Sequence, residues 1–139
     1  MTRPTQNELN RETGQSLVET TLVLIVIFMI TFGIVELCGM VYAYATIANA
    51  AEEGARYGII TSAVVADDSR IVTRVKNFAS TSLHDVSAIS VDVSLPDGNA
   101  TPPSRVRVTV SYSYVPWLTV FGTSGLTLST YAEARMVVE

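Results

Sequence analysis

Gly14-Gln15-Ser16-Leu17-Val18-Glu19, with the apolar run behind it, decides how this chain is organised. No residue from Thr20 to Val35 is charged, and after Glu36 the next charge is Glu52. A hydrocarbon core takes roughly 20 apolar residues of helix. The run from Thr20 to Ala51 exceeds that, which predicts a helix that spans a membrane and continues beyond it. Glu19 is the unusual residue, an acid at the very start of the run. A charge held in hydrocarbon costs about 2.5–3.5 kcal/mol on insertion scales, so its presence needs a reason. One reason is local: Ser16 as N-cap and Glu19 three residues on form a capping box that satisfies free amides at a helix start. That reading leaves Gly14 unexplained.

A glycine, a four-residue spacer, a glutamate and a long apolar helix resemble the processing site of type IV prepilins. Gly14-Gln-Ser-Leu-Val-Glu19, Phe32-Gly33-Ile34-Val35-Glu36 and Asn49-Ala-Ala-Glu-Glu-Gly-Ala-Arg-Tyr57 together resemble the TadE-like family. These are small pilin-like proteins of bacterial tight-adherence (Tad) pilus systems. The likeness is good from Gly14 to about Ile60 and looser over the tail ending Ala132-Glu133-Ala134-Arg135. Thr20 departs from the family's usual aromatic residue. Ile25 stands where many members have proline, so no helix kink is expected there. The resemblance implies cleavage by a prepilin peptidase between Gly14 and Gln15. It also implies a register role for Glu19 against the new amino terminus of a neighbouring subunit. Gly33, Glu36, Gly54 and Gly58 are the candidate helix-packing positions. The implied partners are the peptidase, the inner membrane, and other pilin or pilin-like subunits, further copies of this chain included.

Charge supports that orientation. Arg3 and Arg11 precede the run and the next base is Arg56, which favours a cytoplasmic N-terminus and an extracytoplasmic C-terminal domain. The net charge is −4, and beyond Glu36 nine acids face seven bases, so no basic footprint for nucleic acid exists. Residues 1–13 are polar and aperiodic, and with Gly14 they read as a disordered leader that is removed. An ordinary secretory signal competes, since Ala43-Tyr-Ala45 and Ala48-Asn-Ala50 have its small-residue spacing. Its apolar region spans about 7–15 residues, however, and this run is longer and holds Glu36. Cys38 follows Leu37 where lipidation would want a small residue, so a buried thiol is expected. A single cysteine excludes an internal disulfide.

The expected fold is α+β: the long helix over 15–63, then a small domain over 64–139 with a second short helix and a three-stranded antiparallel sheet. Ala50, Gly54 and Gly58 share an i, i+4 line, as do Ala51 and Ala55. Such small faces admit close helix contact, either with the chain's own domain or with neighbouring subunits. Glu53 and Arg56 are placed to pair at i, i+3. A second helix is predicted from Asp67 to Ser82, capped by Asp67 or Asp68. Its apolar face is read as Ile71, Val75, Phe78 and Leu83, with Arg70, Arg74 and Lys76 outward. His84 reads as a partner for the helix C-terminus.

Strand periodicity follows. Ile89, Val91, Val93 and Leu95 share one face. Val106, Val108, Val110, Tyr112 and Tyr114 alternate with Arg105, Arg107, Thr109, Ser111 and Ser113. A third strand from about Leu126 to Val138 places Leu128, Thr130, Ala132, Ala134, Met136 and Val138 inward. Glu133 and Arg135 lie on its polar face, where pairing with Arg105 or Arg107 is expected. The second helix and the far part of the first should cover one face of this sheet. Pro96–Ser104 is turn chemistry. In Pro116–Gly122, Trp117, Leu118 and Phe121 are expected to plug the core, or else to touch another subunit or the membrane surface. Asn99-Ala-Thr101 matches a glycosylation acceptor, a signal without weight in a bacterial chain.

One histidine, one cysteine and no catalytic or metal-binding motif argue against an enzyme and against a cofactor or metal site. The reading is therefore a pilin-like subunit that works by assembly. Its rival is a monomeric membrane-tethered binding module, with the loops Pro96–Ser104 and Pro116–Gly125 meeting a surface ligand.

Overall fold

The computed structural model describes residues 6–61, 68–83, 85–97, 105–117 and 125–135. His84, Asn99, Thr101, Leu118, Phe121, Met136 and Val138 lie outside them. The elements are α1 (Gln6–Thr61), α2 (Asp68–Ala79), a short 3-10 turn (Val86–Ala88), β1 (Ile89–Ser94), β2 (Arg105–Tyr114) and β3 (Leu126–Arg135). The strands form one antiparallel sheet in the order β1-β2-β3. The expected α+β class, with its long helix, short helix and three-stranded sheet, is what the chain adopts.

The chain divides into two compact units, Met1–Leu37 and Cys38–Glu139. In the first, α1 already runs from Gln6, within the stretch expected to lack structure. Ser16 is accordingly inside the helix, and its carbonyl accepts a bond from the Thr20 hydroxyl at 2.9 Å. The capping box is thus replaced by continuous helix. Glu8, Leu9, Arg11, Glu12, Gln15 and Leu17 carry the helix across the boundary. A single interior glycine, at about 1 kcal/mol relative to alanine, does not stop it. The helix also passes Ile25 without a break, as its lack of proline predicts.

In the second unit, the C-terminal part of α1 is built into the core. Ala43, Thr46, Ile47, Ala50, Ala51, Gly54, Ala55 and Gly58 are buried, at alternating steps of three and one that keep one narrow seam inward. Thr46 is a buried polar residue, and its hydroxyl donates to the Tyr42 carbonyl at 3.0 Å. Against the seam stand Ile71, Val75 and Ala79 of α2, then Leu83, Ile89 and the β2 valines Val106, Val108 and Val110. On α2 the buried residue is Ala79, whereas Phe78 is exposed. Ile71, Val75 and Ala79 follow at i, i+4, i+8 and make one straight line, which Phe78 misses by one step.

The sheet register is regular. Val108 lies opposite Val93 on β1 and Ala132 on β3, and Val110 opposite Val91 and Thr130. Strand alternation turns Leu128, Thr130, Ala132 and Ala134 half inward and leaves the other face wet. On that face Glu133 binds Arg107, its cross-strand partner, and also lies 3.7 Å from Arg105. Arg105 stands directly opposite Arg135, a like-charge juxtaposition. Asp97, at 2.5 Å, supplies the counter-charge to Arg105. That hydrogen bond, and the carboxylate's field, raise the Arg105 guanidinium above its ordinary pKa. The Arg107 guanidinium also sits 5.1 Å from the centre of the Tyr131 ring.

Candidate assembly interface

The residues singled out in the sequence fall into two sets. Gly14, Gln15 and Glu19 are exposed on α1, with Gln15 and Glu19 one helical turn apart on the same face. An added Cβ at Gly14 would meet nothing within 4 Å, and the same holds at Gly33. Gly33 and Glu36 are half-buried. These positions leave the helix surface open.

Every side of that surface is apolar. Leu22, Val23, Leu24, Ile25, Val26, Ile27 and Phe28 are consecutive, so they cover the full turn of the helix, and all are exposed. Ile30, Phe32, Ile34 and Val35 continue the pattern, and the Phe28 and Phe32 rings approach to 6.3 Å. A helix that is apolar all round belongs in lipid or in a packed bundle, not in water. The threonines within the run add no unsatisfied polarity. The Thr21 and Thr31 hydroxyls donate to the carbonyls of Leu17 and Ile27, each at 2.8 Å. By length and composition the described part of α1 holds one stretch able to cross a membrane.

Gly54 and Gly58 are placed differently. Both are buried in the chain's own head. A Cβ on Gly54 would lie 2.5 Å from Val75 Cγ2 and 3.3 Å from Val108 Cγ1, so the missing side chain is what lets α1, α2 and β2 converge. Of the two uses foreseen for this small-residue line, packing on the own domain is the one the geometry displays. Glu53 does not turn to Arg56. Its carboxylate accepts from Arg74 Nη2 at 2.7 Å and Nε at 3.0 Å, tying α1 to α2. Cys38 is exposed in the single chain, not buried, because it lies outside the inward seam that begins at Ala43. Trp117 is 94% exposed and therefore does not plug the core. Its exposure follows from its place beyond the end of β2, where the alternation that buries the strand's valines has stopped.

No group of acids, histidine and cysteine able to hold a metal ion occurs among the described residues. A shallow groove between α1 and β3 is lined by Glu52, Arg56, Tyr131 and Glu133, with alanines beneath. Among the described residues no buried side-chain polar atom lacks a hydrogen-bond partner.

Among the described residues, the fold and the exposed helix define a chain with a membrane-competent α-helix and an α+β head. Residues 14–56 match the family model described as TadE-like protein. That segment starts at Gly14 and takes in Glu19, Gly33, Glu36 and Gly54, so the resemblance carried by these motifs is borne out over it. No curated protein and no solved structure matches.

Proposed function

We propose that this chain is a pilin-like, TadE-like subunit of a tight-adherence pilus system, cut by a prepilin peptidase after Gly14, with a structural role and not an enzymatic one. The observation that carries the proposal is the fully apolar, fully exposed surface of α1 directly behind Gly14–Glu19. Such a surface suits lipid before assembly and a bundle of like helices after it. The chain would reside in the bacterial inner membrane with its N-terminus cytoplasmic, by the Arg3 and Arg11 asymmetry.

Cleavage creates an ammonium on Gln15. In a bundle, Glu19 of one chain meets the Gln15 ammonium of its neighbour. A charge taken out of water is tolerated when paired, and removing one partner costs roughly 3–5 kcal/mol. The pair sets the register of one helix against the next more than it adds stability. Sequencing the N-terminus of the mature chain from its host tests the reading. A Gln15 start is expected, and a chain still beginning at Met1 or Thr2 overturns it in favour of the tethered binding module.

A further inference from the structure

β2 runs along α1 in the opposite direction. Val108 touches the position of Gly54, and six residues on, the Tyr114 hydroxyl lies 2.9 Å from where a Gly39 Cβ would be. Six strand residues cover about 20 Å, and the helix between Gly39 and Gly54 rises about 22 Å, so the two elements keep pace. Beyond Tyr114 the chain therefore emerges beside the part of α1 around Gly39. There Val115 is 64% and Trp117 94% exposed, and on α1 Val41, Tyr42 and Tyr44 are exposed as well.

Charge is distributed to match. No Asp, Glu, Lys or Arg occurs between Arg107 and Glu133. In the β2–β3 pair the charged residues cluster at the other end, where Arg105 faces Arg135 and Arg107 faces Glu133, while Tyr114 faces Leu126 at the uncharged end. The β2–β3 pair is thus polarised along its strands, with an uncharged, aromatic end beside Gly39 of α1.

We propose that this end is a membrane-contact surface: in the unassembled chain Val115 and Trp117, with Tyr42 and Tyr44, seat in the headgroup–acyl boundary of the bilayer. Tryptophan and tyrosine concentrate at that boundary because their rings are apolar and their N–H and O–H groups need a polar neighbour. Seated there, the tip fixes how far α1 projects from the membrane. It leaves the lipid when the subunit enters a filament. The inference rests on α1 spanning the membrane.

The chain has one tryptophan, so its emission reports on this site alone. The full chain is reconstituted at high lipid excess in phosphatidylethanolamine–phosphatidylglycerol vesicles, with bromine-labelled lipids as depth probes. The expected result is emission blue-shifted from that of tryptophan in water, shielding from iodide, and stronger quenching by bromines near the headgroup than by those near the bilayer centre. Water-like emission with free iodide access in a chain that resists alkaline carbonate extraction overturns the inference and leaves the spanning helix standing. A chain released by carbonate overturns both. A blue shift that appears only when protein is crowded in the vesicle assigns the tip to a second protein and also overturns the lipid contact.

Discussion

Gly54 lies against Val75 so closely that an added Cβ would stand 2.5 Å from the valine's Cγ2. Val108 and Ile71 close the other sides at 3.3 and 3.6 Å. Gly54→Ala therefore forces apart α1, α2 and β2 at the centre of the head. Overpacking of this kind costs about 1–3 kcal/mol, against a gain of about 1 kcal/mol in helix propensity. A lower thermal midpoint is expected for the full chain in detergent, followed by near-ultraviolet circular dichroism. Gly33→Ala, where nothing stands within 4 Å, should leave the head's midpoint unchanged. An unaltered midpoint for Gly54→Ala would show that the convergence is looser than described.

Arg74 and Glu53 join α2 to α1 through two bonds to one carboxylate oxygen, on a partly exposed surface. Exposed pairs of this type contribute about 0.2–1 kcal/mol, and salt screens them. A double-mutant cycle with Glu53→Ala and Arg74→Ala should give a coupling in that range, falling at high salt. The same cycle with Glu53→Ala and Arg56→Ala should give a smaller coupling. The reverse order would return Glu53 to its neighbour on α1.

These two contacts mark where sequence reading stops. The strands are legible because alternation fixes which face is buried; alternation puts Glu133 on the face of Arg105 and Arg107, and the strand register selects Arg107. α1 was legible because nothing but helix accommodates so long an apolar run. Its start at Gln6 is not, since no hydrophobic periodicity marks residues 6–13 and only their helix propensity points to helix. Phe78 falls seven residues after Ile71 and so fits a helical apolar face, yet the line of Ile71 and Val75 selects Ala79. Glu53 had an adjacent partner in sequence and a better one twenty-one residues on, which only packing reveals. In the candidate site, Gly14, Gln15 and Glu19 were visible as a motif. That Gly54 and Gly58 face inward was open until α2 and β2 were seen against them. Trp117 broke the expectation that large apolar residues in a loop fill a core.

Gly14 offers a clean test of processing. Its surroundings are empty, so Gly14→Leu introduces no clash, and leucine favours the helix there by about 1 kcal/mol. Folding and membrane insertion should persist. A peptidase must unwind the helix to bring an extended backbone into its site, and a bulky helix-former opposes that step. The expected outcome is an unshifted band on a gel and an intact N-terminus by mass spectrometry. Normal conversion of Gly14→Leu would remove the cut from this position.

Glu19 separates assembly from insertion. Taking its charge away relieves about 2.5–3.5 kcal/mol at mid-membrane and less near the surface, so Glu19→Ala should remain in the membrane at least as well as the wild-type chain. Gln15 and Glu19 of one chain are already a turn apart, and a bond within the chain would make the carboxylate indifferent to neighbours. A bond between chains makes it matter only once helices pack. Cross-linking followed by isolation of the pilus fraction should then find Glu19→Ala cleaved, membrane-bound and missing from assemblies. Glu19→Gln keeps the size and loses the charge, so it should fail in the same way if pairing with an ammonium is the point. Normal incorporation of either variant would strip Glu19 of its register role, whatever becomes of the cut at Gly14.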